Sequence, residues 1–492
     1  MPGMVKAGLT SLLFLLLLLG FAPAFGAGSD LKILNAYSLG DKVAFLVING
    51  TSGGLYGVVY NGSSFEAEGL NFTPTIFLVR HWNGSGWLLQ RGETVTVGLY
   101  TYHEGRLRHV ETFRGGSACT DNDLDVKWNG REYLLTFVKG SPEGDLATGE
   151  CRFISKDYIL RGRNLVPLNV SGQEVWVPAL NAWLIGCYHL GYLFDENGRL
   201  LGEYNFSRTG IYSLGLVIDG DKNLITVTAD RGWVKVFAAG NRSLVLTYRG
   251  RFGERALGEG PYPPVLWVGK PVLFDIGSYN STESSVWLFN GTDFVRAGEL
   301  GNAMLYSVTL PGWKRSYILS STPMKTYTLL GLFEVRNTSL VRIGSLKVEN
   351  AYLKVVRAWP RGFPAQEVSP GNMLVAPGEN SVFLFNSAHM VDLISGRTFS
   401  LPHALKEHEY GVTFCRGGVF LFSENKVYLF KNGEFRDVTL EILSALSSLE
   451  KNKTAPSLHE NREERTAVLL SPIAVMVVIV GLVFLWRGRR YR

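Results

Sequence analysis

The stretch VWLFNGTDFV, residues 286–295, decides the fold. VWLF and FV carry the β-branched and aromatic side chains that strands favour. Asn290-Gly291 between them is a strong hairpin signal. A two-residue type I′ turn needs positive φ at both central positions, and Asn and Gly reach it at least cost. Val286 and Leu288 point one way, Trp287 and Phe289 the other, so both faces of the strand are apolar and both require cover.

Related hairpins occur on either side: YGVVYNGSSF (56–65), VGLYTYHEGRLRHV (97–110), RFISKDYILRGRNLVPL (152–168), GYLFDENGRLLGEY (191–204), VKVFAAGNRSLVLTY (234–248), LLGLFEVRNTSLVRI (329–343), VFLFNSAHMVDL (382–393) and VYLFKNGEFRDV (427–438). An aromatic marks each first strand: Tyr60, Tyr100, Phe153, Phe194, Phe237, Phe289, Phe333, Phe385 and Phe430, spaced 40 to 53 residues apart. That period is the length of a four-stranded propeller blade. Between hairpins there is room for two more strands, such as PVLWVG (264–269) and KPVLFDIGS (270–278). A strand covered on both faces suits a blade wedged between blades better than the open sandwich that is the alternative. The expected fold is all-β, a single β-propeller of about eight four-stranded blades (seven to nine) over residues 27–440, followed by a C-terminal transmembrane helix.

The ends predict location. Lys6, the apolar run SLLFLLLLLGF (11–21) and the small-x-small site Ala24-Phe25-Gly26 read as a signal peptide over 1–26. Residues 441–465 read as a stalk that opens with a short helix bearing Ile442, Leu443, Leu446 and Leu449 on one side. TAVLLSPIAVMVVIVGLVFLW (466–486) is uncharged and long enough to cross a bilayer. Arg487, Arg489, Arg490 and Arg492 would then hold the tail 487–492 in the cytoplasm and leave the repeats outside. Discounting Lys6 and these four arginines lowers the net charge from +6 to +1, so the outer part is no basic surface for nucleic acid. The expected partners are the lipid bilayer, through the C-terminal helix, and an envelope glycan or protein.

Eleven Asn-x-Ser/Thr sequons occur, at Asn49, Asn61, Asn71, Asn83, Asn169, Asn205, Asn241, Asn280, Asn290, Asn337 and Asn452. They are glycosylation candidates in an exported chain, although Asn-Gly-Ser/Thr is also good turn chemistry. Glutamine occurs only three times, a habit of hyperthermophile proteins. Through its hairpin repeats and its ends, the chain resembles the propeller ectodomain of a membrane-anchored, archaeal-type cell-surface protein. No WD or kelch signature occurs, so the resemblance carries no site residues with it.

Candidate chemistry is sparse. Cys119 and Cys151 fall in one repeat and are expected to form a disulfide. Cys187 and Cys415 sit in what read as matching strands of distant blades, and are expected to be buried thiols. Asp121, Asp123, Asp125 and Glu132 fit positions 1, 3, 5 and 12 of a calcium loop, but Val126 stands where that loop needs Gly. Calcium is the only cofactor the sequence offers. Gly50-Thr51-Ser52-Gly53-Gly54 has the letters of a nucleophile elbow but precedes a strand, so it reads as a turn. No His-Glu-x-x-His pair, phosphate loop or dinucleotide fingerprint appears. Two long connections, 250–264 and 358–377, are the candidate ligand loops, with Arg251, Arg255, Tyr262, Arg357, Trp359, Arg361 and Phe363 as the candidate contacts. Trp176, Trp183, Trp267 and Trp287 lie in strands and are expected in the core. The function expected is a binding or interaction module. The alternatives are a structural envelope protein and an extracellular glycan hydrolase or lyase, the last needing paired carboxylates.

Overall fold

The computed structural model describes residues 31–454, apart from 93–95, 115–122, 142–151, 209, 220–221, 230–232, 252–264, 268–270, 277–282, 302–303, 310–315, 350–356, 359–365, 369–372, 378–380, 387, 407–409 and 417. The predicted signal peptide, most of the stalk, the apolar segment 466–486 and the basic tail lie outside the described residues. Within them, no helix is long and apolar enough to cross a membrane.

Nine antiparallel sheets follow one another. Seven are four-stranded meanders: blade 1 (31–70), blade 2 (78–114), blade 3 (123–167), blade 4 (173–205), blade 5 (211–251), blade 6 (265–301) and blade 7 (304–349). Blade 8 (366–400) and blade 9 (411–437) are the same meander with one short strand added at the inner edge. In blade 8 the addition is Gln366–Val368, antiparallel to Met373–Pro377. In blade 9 it is Arg357–Ala358, parallel to Gly411–Cys415. The chain is a nine-bladed β-propeller, at the upper end of the expected seven to nine: each of the nine hairpins in the sequence belongs to its own blade.

Each seam between blades is an apolar cluster fed from both sides. Leu88, Leu99 and Phe113 of blade 2 meet Leu124, Leu135 and Leu160 of blade 3. Leu134 and Ile159 of blade 3 meet Trp183 and Ile185 of blade 4. Val286 and Leu288 of blade 6 meet Leu305 and Ile318 of blade 7, while Phe289 on the opposite face joins Leu224 and Val236 of blade 5. The double-sided apolar strand of VWLF therefore fills two seams at once. Trp183 is fully buried, Trp176 and Trp287 are half-buried, and the side chain of Trp267 lies outside the described residues.

Among the described residues, the ring closes without exchanging a strand. Blade 1 meets blade 9 through rings: Phe420 lies 5.4 Å from Phe45 and 5.0 Å from Tyr60, and Phe422 lies 6.0 Å from Phe45. The Ile33 amide donates to the Glu424 carbonyl at 2.6 Å, and Lys32 pairs with the Glu424 carboxylate at 2.7 Å. The latter pair is exposed and adds little. The aromatic seam dominates, since such pairs contribute about 0.5–1.5 kcal/mol each beyond the area they bury.

The turns differ from expectation. In NGTD, Gly291 has φ 108° but Asn290 stays outside the left-handed region. Phe289 pairs with Phe294, so the loop has four residues. Asn290 Oδ1 accepts the amides of Thr292 and Asp293 at 3.0 and 2.9 Å, replacing the two-residue turn with a side-chain-capped loop. The same loop recurs at Asn61, Asn83 and Asn129, each between paired aromatics: Tyr60 and Phe65, Trp82 and Trp87, Trp128 and Tyr133. Two-residue turns with both φ positive occur at Glu104-Gly105, Asn241-Arg242 and Asn432-Gly433.

Two further readings are corrected. VFLFNSAHMVDL is not a third-and-fourth-strand hairpin like its relatives. Its VFLF is the second strand of blade 8, equivalent to VFLF (419–422) of blade 9. The 358–377 stretch is not all loop, because it contains Gln366–Val368 and Met373–Pro377, strands too short for their period to show. Gly50–Gly54 is a turn between Lys42–Asn49 and Leu55–Tyr60, as read.

After blade 9 comes helix α1, Thr439–Thr454, which starts two residues before its expected beginning. The Val427 amide donates to Thr439 Oγ1 at 3.1 Å, tying the helix start to blade 9, and Val438, Ile442 and Leu446 are buried.

Two predictions follow from the seams. Phe420→Ala removes the ring that three blade-1 aromatics touch and is expected to cost about 3–5 kcal/mol in urea unfolding, against under ~1 kcal/mol for an exposed control such as Leu107→Ala. An equal loss in both variants would contradict the seam's role. In the seam between blades 3 and 4, Asp157 is fully buried, with Ser171 Oγ donating to its Oδ1 at 2.9 Å and no partner on Oδ2 among the described residues. Burial pushes its carboxyl up to about 6 from 3.8. The folded chain then keeps a proton that the unfolded chain has released, so Asp157 lowers stability as pH rises from about 4 to about 6. Asp157→Asn is expected to raise the Tm by a few degrees above that window and to leave it unchanged below; equal effects at both pH values would contradict this.

Candidate functional site

In an up-and-down blade, the turn between strands one and two and the turn between strands three and four open on the same face of the ring. On that face, between blades 2 and 3, lies a cleft of about 290 Å³. Four turns surround it: 83–86 and 104–105 of blade 2, and 129–132 and 162–163 of blade 3.

Register explains which side chains enter. Thr101 pairs with Arg108 and His103 with Arg106, so all four share one face of blade 2. It is the face that carries Leu99 into the seam with blade 3. Opposite them stand Trp128, Tyr133 and Arg163 of blade 3. The apolar floor is Trp87, Tyr133 and Leu160, which continue into the core. Trp128 is half-buried, its ring 4.4 Å from that of Tyr133.

The charges are unbalanced. Arg106, Arg108, Arg131 and Arg163 line the cleft. Arg131 leans on Glu196 at 3.4 Å, a carboxylate that also holds Arg161 at 3.0 Å. Arg106, Arg108 and Arg163 are exposed and have no acidic partner among the described residues. The nearby acids are engaged elsewhere. Glu132 is buried, accepting from Trp183 Nε1 at 3.1 Å on the blade 4 side, and Glu68 accepts from Trp87 Nε1 at 2.7 Å. Burial raises the pKa of both carboxyls. Glu104, at the tip of its turn, is exposed.

Beneath the cleft, His81 Nδ1 lies 3.4 Å from the Tyr133 hydroxyl, which also bonds the Asn83 side chain. Burial lowers the His81 pKa to about 4, so the imidazole is neutral at physiological pH and adds no charge to the floor. The arrangement can hold an anion beside a ring. It presents no nucleophile paired with a base and no pair of carboxylates among the described residues.

Of the residues singled out in the sequence, Asn83 lines the cleft, and neither Arg251 nor Arg357 does. Connection 250–264 joins the fourth strand of blade 5 to the first of blade 6, and those strands meet it at the opposite face. Arg251 ends Ser243–Arg251, and Arg357 begins the added strand of blade 9. Arg255, Tyr262, Trp359, Arg361 and Phe363 lie outside the described residues, as do Cys119, Cys151 and Asp121. Asp123 pairs with Arg80 of blade 2, and Asp125 is exposed on the same strand. Glu132 sits beyond the far end of that strand, ~17 Å away from Asp123, and faces Trp183, so these carboxylates do not converge on a cation. Cys187 is a half-buried thiol ending a second strand and Cys415 a buried thiol ending a first strand, so their strands do not match after all. Among the sequons, Asn49 is buried, while Asn61, Asn71, Asn169, Asn205, Asn241, Asn290 and Asn337 are exposed. Asn83 is half-buried at the cleft, its Oδ1 accepting the amides of Ser85 and Gly86. Asn452 falls within α1, and Asn280 lies outside the described residues.

No family model matches the chain, and no curated protein matches it. Solved structures similar to it include the WD40 domain of SCAP from fission yeast, at 10% identity over 84% of this chain and 93% of that one, with a TM-score of 0.36. Dihydro-heme d1 dehydrogenase NirN in complex with DHE matches at 13% identity over 85% of this chain and 78% of that one, TM-score 0.36. A eukaryotic initiation factor matches at 9% identity over 76% and 95%, TM-score 0.34. Likeness this distant carries no argument about ligand or chemistry.

Proposed function

We propose that this chain is a binding module, a propeller displayed at the outer surface of a cell membrane by its C-terminal apolar segment, which captures its ligand in the cleft between blades 2 and 3. The observation that carries the reading is the set of three arginines, with no acidic partner among the described residues, around a half-buried tryptophan on the face formed by four turns. Tryptophan, tyrosine and arginine are enriched among the residues that carry binding energy once an interface covers them. The glycan-hydrolase alternative draws no support from a cleft that offers arginines and rings where that chemistry needs paired carboxylates. The display part of the reading rests on the signal-like start and on residues 466–486 followed by four arginines.

Full-length protein is expected to capture a component of envelope extracts, and Arg106→Glu with Arg108→Glu to reduce that capture about tenfold or more at unchanged Tm. Removal of residues 466–492 is expected to move the protein from the membrane fraction to the soluble one. Capture indifferent to the arginine reversal would overturn the cleft as the site. A truncated chain that still sediments with membranes would overturn the anchor.

A further inference from the structure

Resting on that reading of the cleft, we infer that its ligand is an acidic saccharide, a sugar that carries carboxylate or sulfate groups. Three features point to this class. The first is charge: Arg106 and Arg108 stand two residues apart on one strand, ~7 Å, and Arg163 faces them from blade 3. Guanidinium groups bind carboxylate and tetrahedral oxyanions alike through paired N–H donors. Two guanidinium groups side by side on one strand, with a third across the cleft, suit a ligand that carries more than one anionic group.

The second feature is the Trp128 indole, half-buried and held against Tyr133. A rigid ring flanked by cations offers a stacking surface for the apolar face of a pyranose. The third is polarity and size. Thr101 and Ser85 contribute hydroxyl groups at the wall, and about 290 Å³ holds one or two sugar rings but no folded partner. Nucleic acid fits poorly. The basic residues form one small patch, and the chain without its start and tail carries a net charge of only +1. An acidic peptide would satisfy the arginines and leave the ring and hydroxyls unused.

The test is a titration of full-length protein followed by tryptophan fluorescence. The probes are trigalacturonate, its methyl ester, a sulfated disaccharide and hexaglutamate. Trigalacturonate or the sulfated disaccharide is expected to bind, and which of them binds more tightly tells carboxylate from sulfate. The methyl ester and hexaglutamate are expected to bind roughly tenfold more weakly, and binding to weaken as salt rises from ~0.05 to ~0.3 M. Arg106→Glu with Arg108→Glu is expected to abolish binding and Trp128→Ala to weaken it about tenfold, both at unchanged Tm. Methyl ester binding as tight as the acid would overturn the charge inference and leave the cleft a neutral-sugar site. Hexaglutamate binding as tight as trigalacturonate would replace the saccharide with an acidic peptide. No binding by any probe, with envelope capture still sensitive to the arginine reversal, would overturn the saccharide class while the cleft stood. Capture insensitive to the reversal would remove the cleft itself.

Discussion

A ring of nine wedges has to close, and here it closes on a cluster of rings. Phe45, Tyr60 and Phe65 of blade 1 surround Phe420 of blade 9, with Phe422 beside them. Among the described residues no strand crosses from the first blade to the last, so no shared ladder among them holds the last seam. Two other features brace the region. Arg357–Ala358 joins the inner edge of blade 9 before the chain has built blade 8, and Thr439 ties the start of α1 to the third strand of blade 9. Each remaining seam depends on the same physics of apolar side chains packed from both sides.

That constraint explains what could be read in advance. A strand such as VWLF must be apolar on both faces to fill two seams, and this pattern, with a period near 45 residues, made the propeller legible. The blade count was legible too, one per hairpin, and the central expectation of eight fell one short of it within a range of seven to nine. Blade 8 went out of register because VFLFNS looks like the VWLFNG of blade 6, while its VFLF is a second strand, as the identical VFLF of blade 9 is. Turn type was misjudged because Asn-Gly permits both a two-residue turn and a four-residue loop capped by the Asn side chain. The position of the Asn differs: Asn290 directly follows Phe289 and caps a four-residue loop, whereas Asn432 stands one residue further on from Phe430 and enters a two-residue turn, although Phe430 pairs with Phe435 as Phe289 does with Phe294.

The cleft was not legible, for a structural reason. Its arginines come from turns and strand ends of two blades, and nothing in their sequence spacing brings them together. One signal was present. WNGSGW (82–87) and WNGREY (128–133) repeat the aromatic-Asn-Gly-x-x-aromatic pattern of YNGSSF and FNGTDF, so both mark capped loops. In blades 2 and 3 those loops lie beside HEGR and RGR, which places basic residues next to the half-buried Trp128. Interior packing completes the site: by drawing Glu132 and Glu68 into hydrogen bonds with Trp183 and Trp87, the seams withdraw negative charge and leave the guanidinium groups facing solvent.

Closure of the ring between its first and last blades is the claim on which the seams, the cleft and the proposed ligand all rest. Zero-length carbodiimide cross-linking of the monomer, read by peptide mass spectrometry, tests it directly. Lys32 and Glu424, 2.7 Å apart across the closing seam, should appear as one linked peptide, as should Lys426 and Asp437, 2.9 Å apart within blade 9. Recovery of the second link without the first would mean that blade 1 does not meet blade 9, and the closed ring would be wrong.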